Sequence, residues 1–184
     1  MVQCQPAPTR RFAAIFAGLL LFAIPQIATA DARLWLGAGL ANLTSFDDGS
    51  LPGPAAQLGL GLDLSQFLAL SLDATSSYHF GDDERSLPAD RVASAALGLR
   101  YNFDVFKYVP YAGLAAAGYL DAPAVSGSTV EANFGGKLFL GVDWRFHRFW
   151  SVGFQGELHA LVTDVQDFPI YTFVGLTAAY YLRL

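Results

Sequence analysis

The chain has 184 residues, of which 53% are hydrophobic and 15% are charged, and its formal net charge is −5. This length suits one domain, and the acidic balance argues against nucleic acid as a partner. The single cysteine, Cys4, lies in the N-terminal segment described next. The rest of the chain therefore has no thiol for a disulfide, a metal or a nucleophile.

Residues 1–30 have the parts of a secretory signal peptide. Arg10 and Arg11 precede an apolar run at residues 12–24, and Ala28-Thr29-Ala30 follows it. Such a run is too short to cross a bilayer as a helix, but it has the length of a signal-peptide core. We therefore predict a signal peptide at 1–30 and a single mature domain at 31–184. That domain has nine basic and sixteen acidic residues, a net charge of −7.

The mature sequence alternates between apolar residues and small or polar ones. In the second alternating segment, each alternate residue from Ala56 to Leu64 is Ala or Leu, and the residues between them are Gln57, Gly59, Gly61 and Asp63. A period of two is typical of β-strands. The predicted strands are 33–41, 56–64, 68–80, 92–103, 111–120, 133–146, 150–162 and 170–184. In the fifth, where both sides are small or aromatic, we assign outward positions by continuity to Ala112, Leu114, Ala116 and Leu120.

The last predicted strand, residues 170–184, indicates the kind of sheet. One of its sides carries no charge over its whole length, and the other mixes small, aromatic and polar residues with Arg183. A long strand with one apolar side is typical of a transmembrane barrel, in which every backbone polar group is paired. No mature segment has 18 consecutive apolar residues, as expected when apolar residues are interleaved. We therefore predict an all-β, eight-stranded, antiparallel up-and-down transmembrane barrel.

The connections between the predicted strands alternate in length. Long connections are predicted at 42–54, 81–90, 121–131 and 163–169, and short ones at 65–66, 104–109 and 147–149. Outer-membrane barrels have short periplasmic turns and longer outer loops, so both termini are expected on the periplasmic side. Aromatic residues at both ends of the strands predict two interfacial girdles. The alternative, a soluble barrel of lipocalin type, would need the Gly-, Ala- and Ser-rich side to face water, whereas that side suits a narrow lumen.

These features resemble the small outer-membrane barrels of the OmpA and OmpX kind. The resemblance rests on the leader, the eight alternating strands, the terminal strand and the segment from Pro110 to Tyr119, which looks like the family's recurrent P-Y-x-G strand. It covers the whole mature chain. One departure is the final residue, which is usually Phe or Trp in that family and is Leu184 here.

The resemblance implies a location, partners and a range of functions. The location is the bacterial outer membrane of a Gram-negative cell, and the expected state is a monomer. The expected partners are outer-membrane lipids, lipopolysaccharide and, through the strand Ile170 to Leu184, the barrel-assembly machinery. Adhesins, small pores, lipid A-modifying enzymes and structural barrels share this architecture, so the fold alone does not choose among them.

Six titratable residues are predicted on the inward side near mid-height. They are Asp73, Arg100, Lys137, Asp143, Glu157 and His159. Buried charges must be matched, so we interpret them as a paired network that fills the lumen; the alternative is a polar pathway or gate. Strand pairing predicts that Lys137 is diagonal to Glu157 and Asp73 to Arg100.

A catalytic interpretation of Glu157 and His159 is weaker. Lipid A deacylase barrels also use a His and a Glu, with a Ser two positions after the His, but that position is Leu161 here. No nucleophile is in the required place, and no cofactor or metal motif is found. The sequence predicts a non-enzymatic barrel with a structural or surface-interaction role. The alternatives are a small pore or carrier for hydrophobic solutes of OmpW-like type, suggested by Tyr111, Tyr119, Phe139 and Phe173, and a lipid A-modifying enzyme.

Overall fold

The computed structural model of the protein describes residues 31–45, 49–81, 89–104, 106–123, 130–163 and 170–183. The predicted signal peptide and Leu184 lie outside these ranges. The described residues form eight strands: β1 (Asp31–Ser45), β2 (Gly49–Asp63), β3 (Leu68–His79), β4 (Asp90–Asn102), β5 (Tyr108–Pro123), β6 (Glu131–His147), β7 (Trp150–Leu161) and β8 (Ile170–Arg183). Within those ranges, no helix is long and apolar enough to cross a membrane.

The eight strands form one closed antiparallel barrel in sequence order. Each strand pairs with the next, and β1 closes the sheet by pairing with β8 from Asp31↔Arg183 to Thr44↔Ile170. Closure gives every described strand a partner on both sides, so the barrel has no edge strand. The predicted fold class and all eight predicted strands are therefore confirmed.

The connection between β1 and β2 is shorter than predicted. Residues 42–54 were expected to be a long loop, but β1 extends to Ser45 and β2 starts at Gly49, which has a φ of 98°. This left-handed conformation favours glycine. Pro52 and Pro54 suggested a loop, yet both lie beyond the ladder between β2 and β3, which begins at Ala55↔Ser77. A missing N–H is tolerated where a strand has only one full partner.

The two faces of the barrel have the predicted composition. Leu36, Leu60 and Leu138 are 52–60% exposed on the outward face, and Leu114 confirms the uncertain facing of β5 at 63% exposed. The residues of both predicted aromatic girdles point outward as well: Tyr78, Phe80, Tyr101, Phe103, Phe134, Trp144, Phe146, Trp150 and Tyr180. An apolar outer face of this size is unsuited to water and is typical of a barrel that spans a bilayer.

The inward face is crowded because large side chains lie over small ones. A Cβ atom at Gly59 would overlap the Trp35 ring, and one at Gly113 would overlap Phe139. Towards the end of the barrel away from the chain termini, the lumen holds a buried apolar cluster that includes Leu43, Tyr119 and Phe173. An eight-stranded barrel has an interior just wide enough for such packing, and this packing positions the polar residues at mid-height.

Candidate functional site

All six predicted lumen residues lie inside the barrel, and each is at most 5% exposed. They form two groups at different heights. Near the middle of the strands, Lys137 contacts Asp73 and Glu157, and Glu157 also contacts His159. Closer to the end with the chain termini, Asp143 contacts Arg100. We call these the middle network and the inner network, respectively.

Lys137 is the centre of the middle network. Its Nζ atom lies 2.6 Å from Asp73 Oδ1 and 3.1 Å from Glu157 Oε1. The contact with Glu157 is diagonal, because the register of β6 and β7 pairs Lys137 with His159 and Phe139 with Glu157. The contact with Asp73 crosses the lumen from β6 to β3. One ammonium group therefore bridges carboxylates on separate parts of the wall.

Two glutamines extend the middle network across the barrel. Gln57 on β2 donates from Nε2 to Glu157 Oε1 on β7 over 2.7 Å, and Gln155 donates to Gln57 Oε1 over 3.3 Å. Since β2 and β7 are well separated around the barrel, these bonds connect walls that are not neighbours. Their lengths are those of direct hydrogen bonds, with no water molecule between the bonded atoms.

His159 has a partner at each ring nitrogen. Its Nε2 atom lies 2.9 Å from Glu157 Oε2, and its Nδ1 atom lies 2.8 Å from the Tyr119 hydroxyl. A carboxylate only accepts, so Nε2 donates to Glu157, and in the neutral imidazole Nδ1 then accepts from Tyr119. The Tyr171 ring packs edge-on against the imidazole at 4.7 Å. The histidine is thereby fixed within the packed lumen.

The inner network has the opposite charge arrangement. Asp143 Oδ2 accepts from Arg33 Nη1 at 2.8 Å and from Arg100 Nη2 at 2.6 Å. Arg100 also donates from Nε to Asn102 over 2.7 Å and lies over the Tyr111 ring at 3.5 Å. The Tyr111 hydroxyl donates to Gln155 Oε1 over 2.7 Å, which links the two networks. Together they contain three cations and three carboxylates.

The predicted pairing of Asp73 with Arg100 is wrong. The register of β3 and β4 places Ala96 opposite Asp73 and Ala69 opposite Arg100, so the two side chains are four residues apart along the sheet. Arg100 instead reaches Asp143 on β6. Four further members of the networks were not predicted from the sequence: Arg33, Gln57, Tyr119 and Gln155. Their positions on the inward side of the alternating pattern are the signal that could have identified all four as members.

A second His pair in the lumen was also missed. Ser77 Oγ lies 2.8 Å from His79 Nε2, and His79 Nδ1 lies 2.8 Å from the Leu51 carbonyl oxygen. The carbonyl requires a proton on Nδ1, so Nε2 accepts from the serine hydroxyl, as in a nucleophile and its base. However, His79 is fully buried and Ser77 is 4% exposed. A backbone carbonyl also stands where a catalytic carboxylate would be, so this pair serves packing.

Comparison with known structures places the fold. The barrel superposes on Neisserial surface protein A with a TM-score of 0.67 at 15% identity, covering 81% of this chain and 96% of that one. The N-terminal barrel domain of Pseudomonas aeruginosa OprF gives a TM-score of 0.59 at 12% identity, with 82% and 97% covered. The chain has the fold of the small eight-stranded outer-membrane barrels.

The attachment invasion locus protein Ail of Yersinia pestis has the same fold, with a TM-score of 0.59 at 11% identity and 84% and 99% covered. Neither a model of a protein family nor a curated protein sequence matches the chain. Among the described residues of this outer-membrane barrel fold, no three His, Cys, Asp or Glu side chains are grouped as a metal site requires.

Proposed function

We propose that the chain is a non-enzymatic barrel of the bacterial outer membrane with a structural or surface-interaction role. Both termini lie on the periplasmic side in this proposal, lipopolysaccharide and phospholipid surround the wall, and the assembly machinery binds the last strand. One observation carries the proposal: Lys137 bridges Asp73 and Glu157 across the lumen. A lumen that its own ion pairs connect from wall to wall offers a rigid support for surface loops and no route for solutes.

The alternative of a pore or carrier requires space among the aromatic lumen residues. Those residues are packed, since Tyr111, Tyr119, Phe139 and Phe173 are 0–6% exposed. The alternative of a lipid-modifying enzyme requires a reactive group that the lipid can reach, whereas Glu157 and His159 point into the lumen and are 5% and 1% exposed. Both observations support the structural role.

Planar-bilayer recording tests the role of the lumen. The wild-type protein should give no steady conductance, because the middle network occupies the barrel at mid-height. A variant with smaller side chains there, Lys137→Ala with Gln57→Ala, should raise the current and shows that insertion can be detected. Steady current through the wild-type barrel would favour the pore or carrier instead.

Location and facing are tested separately. The protein should fractionate with outer membranes and migrate faster in unboiled detergent gels, since a closed barrel resists unfolding by SDS until it is heated. Leu60→Arg places a charge on the outward face, where Leu60 is 52% exposed, and should lower the free energy of unfolding in vesicles by about 2–4 kcal/mol. Gly61→Ser is the matched control on the inward face, where an added Cβ meets only ordinary contacts of 3.5 Å or more. Equal losses would contradict the membrane placement.

A further inference from the structure

The outward face has a groove of about 650 Å³ near the end of the barrel where the termini lie. Two rows of paired outward residues form its sides, and each row runs across the strands. One row is Tyr108, Trp144, Val152, Ala178 and Leu36, and the other is Val142, Phe154, Leu176 and Ala38. The smallest residues that line the groove are Gly37, Ala38, Gly153 and Ala178.

The groove begins at the rim of the barrel and rises along the wall. Tyr108 is the first residue of β5, whereas Leu36 is the sixth residue of β1 and Ala178 is the sixth from the end of β8. In a bilayer, the groove would therefore extend from the aromatic girdle into the hydrocarbon. An apolar channel at this depth suits an acyl chain.

Basic side chains lie at the rim end of the groove. Lys107 precedes β5, and Arg145, His147 and Arg148 come from β6 and its turn to β7. The two segments are held together, because the Arg145 N–H donates to the Lys107 carbonyl oxygen over 2.8 Å. They line a cavity of about 430 Å³ at the mouth of the barrel. Its two carboxylates, Asp31 and Asp63, belong to β1 and β2 on the opposite side of the mouth.

Lys107 connects this cationic rim to the groove. Its Nζ atom is 5.8 Å from the centre of the Tyr108 ring and 5.9 Å from that of Trp144, the two residues that begin the groove. Arg148 lies over the Phe149 ring at 4.4 Å. Among the residues that the structure describes, neither Lys107 nor Arg148 forms an ion pair. Their charges are available to an anion at the level of the lipid headgroups.

We propose that this groove and rim form a binding site for one anionic phosphoglycerolipid of the periplasmic leaflet. The acyl chain lies between the two rows of outward residues, and the phosphate and the rest of the headgroup contact Lys107 and Arg148. The inference rests on the proposed membrane placement. Basic residues beside a membrane-spanning segment attract anionic lipid headgroups. The apolar groove beside them adds a contact for the acyl chain, which a free phosphate lacks.

Native mass spectrometry of the folded, full-length mature barrel in a non-ionic detergent tests the site. Phosphatidylglycerol should bind with higher affinity than phosphatidylcholine with the same acyl chains. Lys107→Gln and Arg148→Gln should each weaken phosphatidylglycerol binding about fivefold, the value of one cation near a membrane surface, with little effect on phosphatidylcholine. Arg91→Gln is the matched control, since Arg91 lies over an outward aromatic residue, Tyr78, at the other end of the barrel.

Two groove variants distinguish a bound lipid from a bound headgroup. Ala38→Phe fills the groove and should weaken the binding of both lipids, whereas Ala95→Phe adds the same ring at an outward position of β4 outside the groove and should not. Ala178→Leu replaces Ala38→Phe if that variant does not fold. Unchanged phosphatidylglycerol binding in the filled groove would mean that only an anion contact exists, which overturns the proposal.

The remaining outcomes separate this inference from the proposed function. Each protein is first tested for heat-modifiable migration. If the wild type does not fold as a barrel in detergent, the proposed membrane function fails. If it folds but binds the two lipids equally, or if Arg91→Gln weakens binding as much as Lys107→Gln, only the lipid site is overturned.

Discussion

The middle and inner networks have the same geometry with the charges exchanged. In the middle network one cation, Lys137, lies between two carboxylates, whereas in the inner network one carboxylate, Asp143, lies between two arginines. With His159 neutral, one group has an excess negative charge and the other an excess positive charge. The lumen as a whole is balanced, although neither network is. A narrow barrel can therefore bury charges from several strands without an equal count at each height.

The two networks differ in their distance from the mouth of the barrel where the chain termini lie. The apolar cluster has members on both sides of the middle network along β5, because Ala115 pairs with Lys137 while Tyr119 and Tyr111 lie four residues away in opposite directions. The inner network adjoins a small cavity lined by Arg33, Ser71 and Arg100, and this cavity shares Asp63, Arg145 and Tyr181 with the cavity at the mouth. An orphaned charge costs more where water cannot replace its partner. Removing the central charge should therefore lower the free energy of unfolding more in the middle network than in the inner network.

The largest effect is expected for Lys137→Met. The substitution leaves Asp73 and Glu157 buried without the cation that both contact, and breaking a buried ion pair costs about 3–5 kcal/mol. The free energy of unfolding, measured in urea with the barrel in lipid vesicles, should fall by that amount. Arg91→Met, at an exposed position on the outward face, is the control and should change it by less than about 0.5 kcal/mol. A loss below about 1 kcal/mol for Lys137→Met would mean that water reaches the middle network.

A smaller effect is expected for Asp143→Asn. The amide has nearly the shape of the carboxylate and can still accept from one arginine, and the other arginine lies nearer the mouth of the barrel than the middle network does. The free energy of unfolding, measured in the same way, should fall by about 1.5–3 kcal/mol, which is the value of a hydrogen bond to a charged group. Asp31→Asn, at the rim, is the control. A loss larger than that of Lys137→Met would invert the comparison between the two networks.

The sequence was sufficient for the strands and their faces because each face meets a different medium. Leu58, Leu60 and Leu62 point outward, whereas Gln57 and Asp63 do not, and this alternation is visible without a structure. It was not sufficient for partners across the lumen. Lys137 meets Asp73, and Arg33 meets Asp143, from strands that are not neighbours. Such contacts depend on the tilt and stagger of the strands, which local alternation does not determine.

Strand register also limits what the sequence can predict. The short turn between β6 and β7 fixed Lys137 as diagonal to Glu157, and the structure gives that distance as 3.1 Å. Asp73 and Arg100 are separated by a longer connection, so a shift of register went undetected. The prediction of a long β1–β2 loop failed for a different reason. Pro52 and Pro54 indicate a loop, unless it is known that this part of β2 lies before the ladder with β3 begins.

The smallest expected effect is the coupling energy between two residues of the middle network. A double-mutant cycle of Lys137→Met and Glu157→Gln should give a coupling energy of about 1–2 kcal/mol, within the range for residues in one network. The double variant should recover only part of the stability, because Asp73 remains charged and without its ammonium partner. Coupling well below about 1 kcal/mol, as for exposed pairs, together with steady current, would support a hydrated pore.

The matched control for that cycle combines Lys137→Met with Asp143→Asn. These residues lie on one strand, six positions apart, and contact different partners, so their losses should add within about 0.5 kcal/mol. Additivity would show that the two networks are energetically separate in spite of the bond from Tyr111 to Gln155 that links them. Strong coupling would instead mean that the opposite excess charges stabilise each other along the barrel. Tyr111→Phe, which removes only the linking hydroxyl, would then lower that coupling if the bond transmits it and leave it unchanged if the charges act through space.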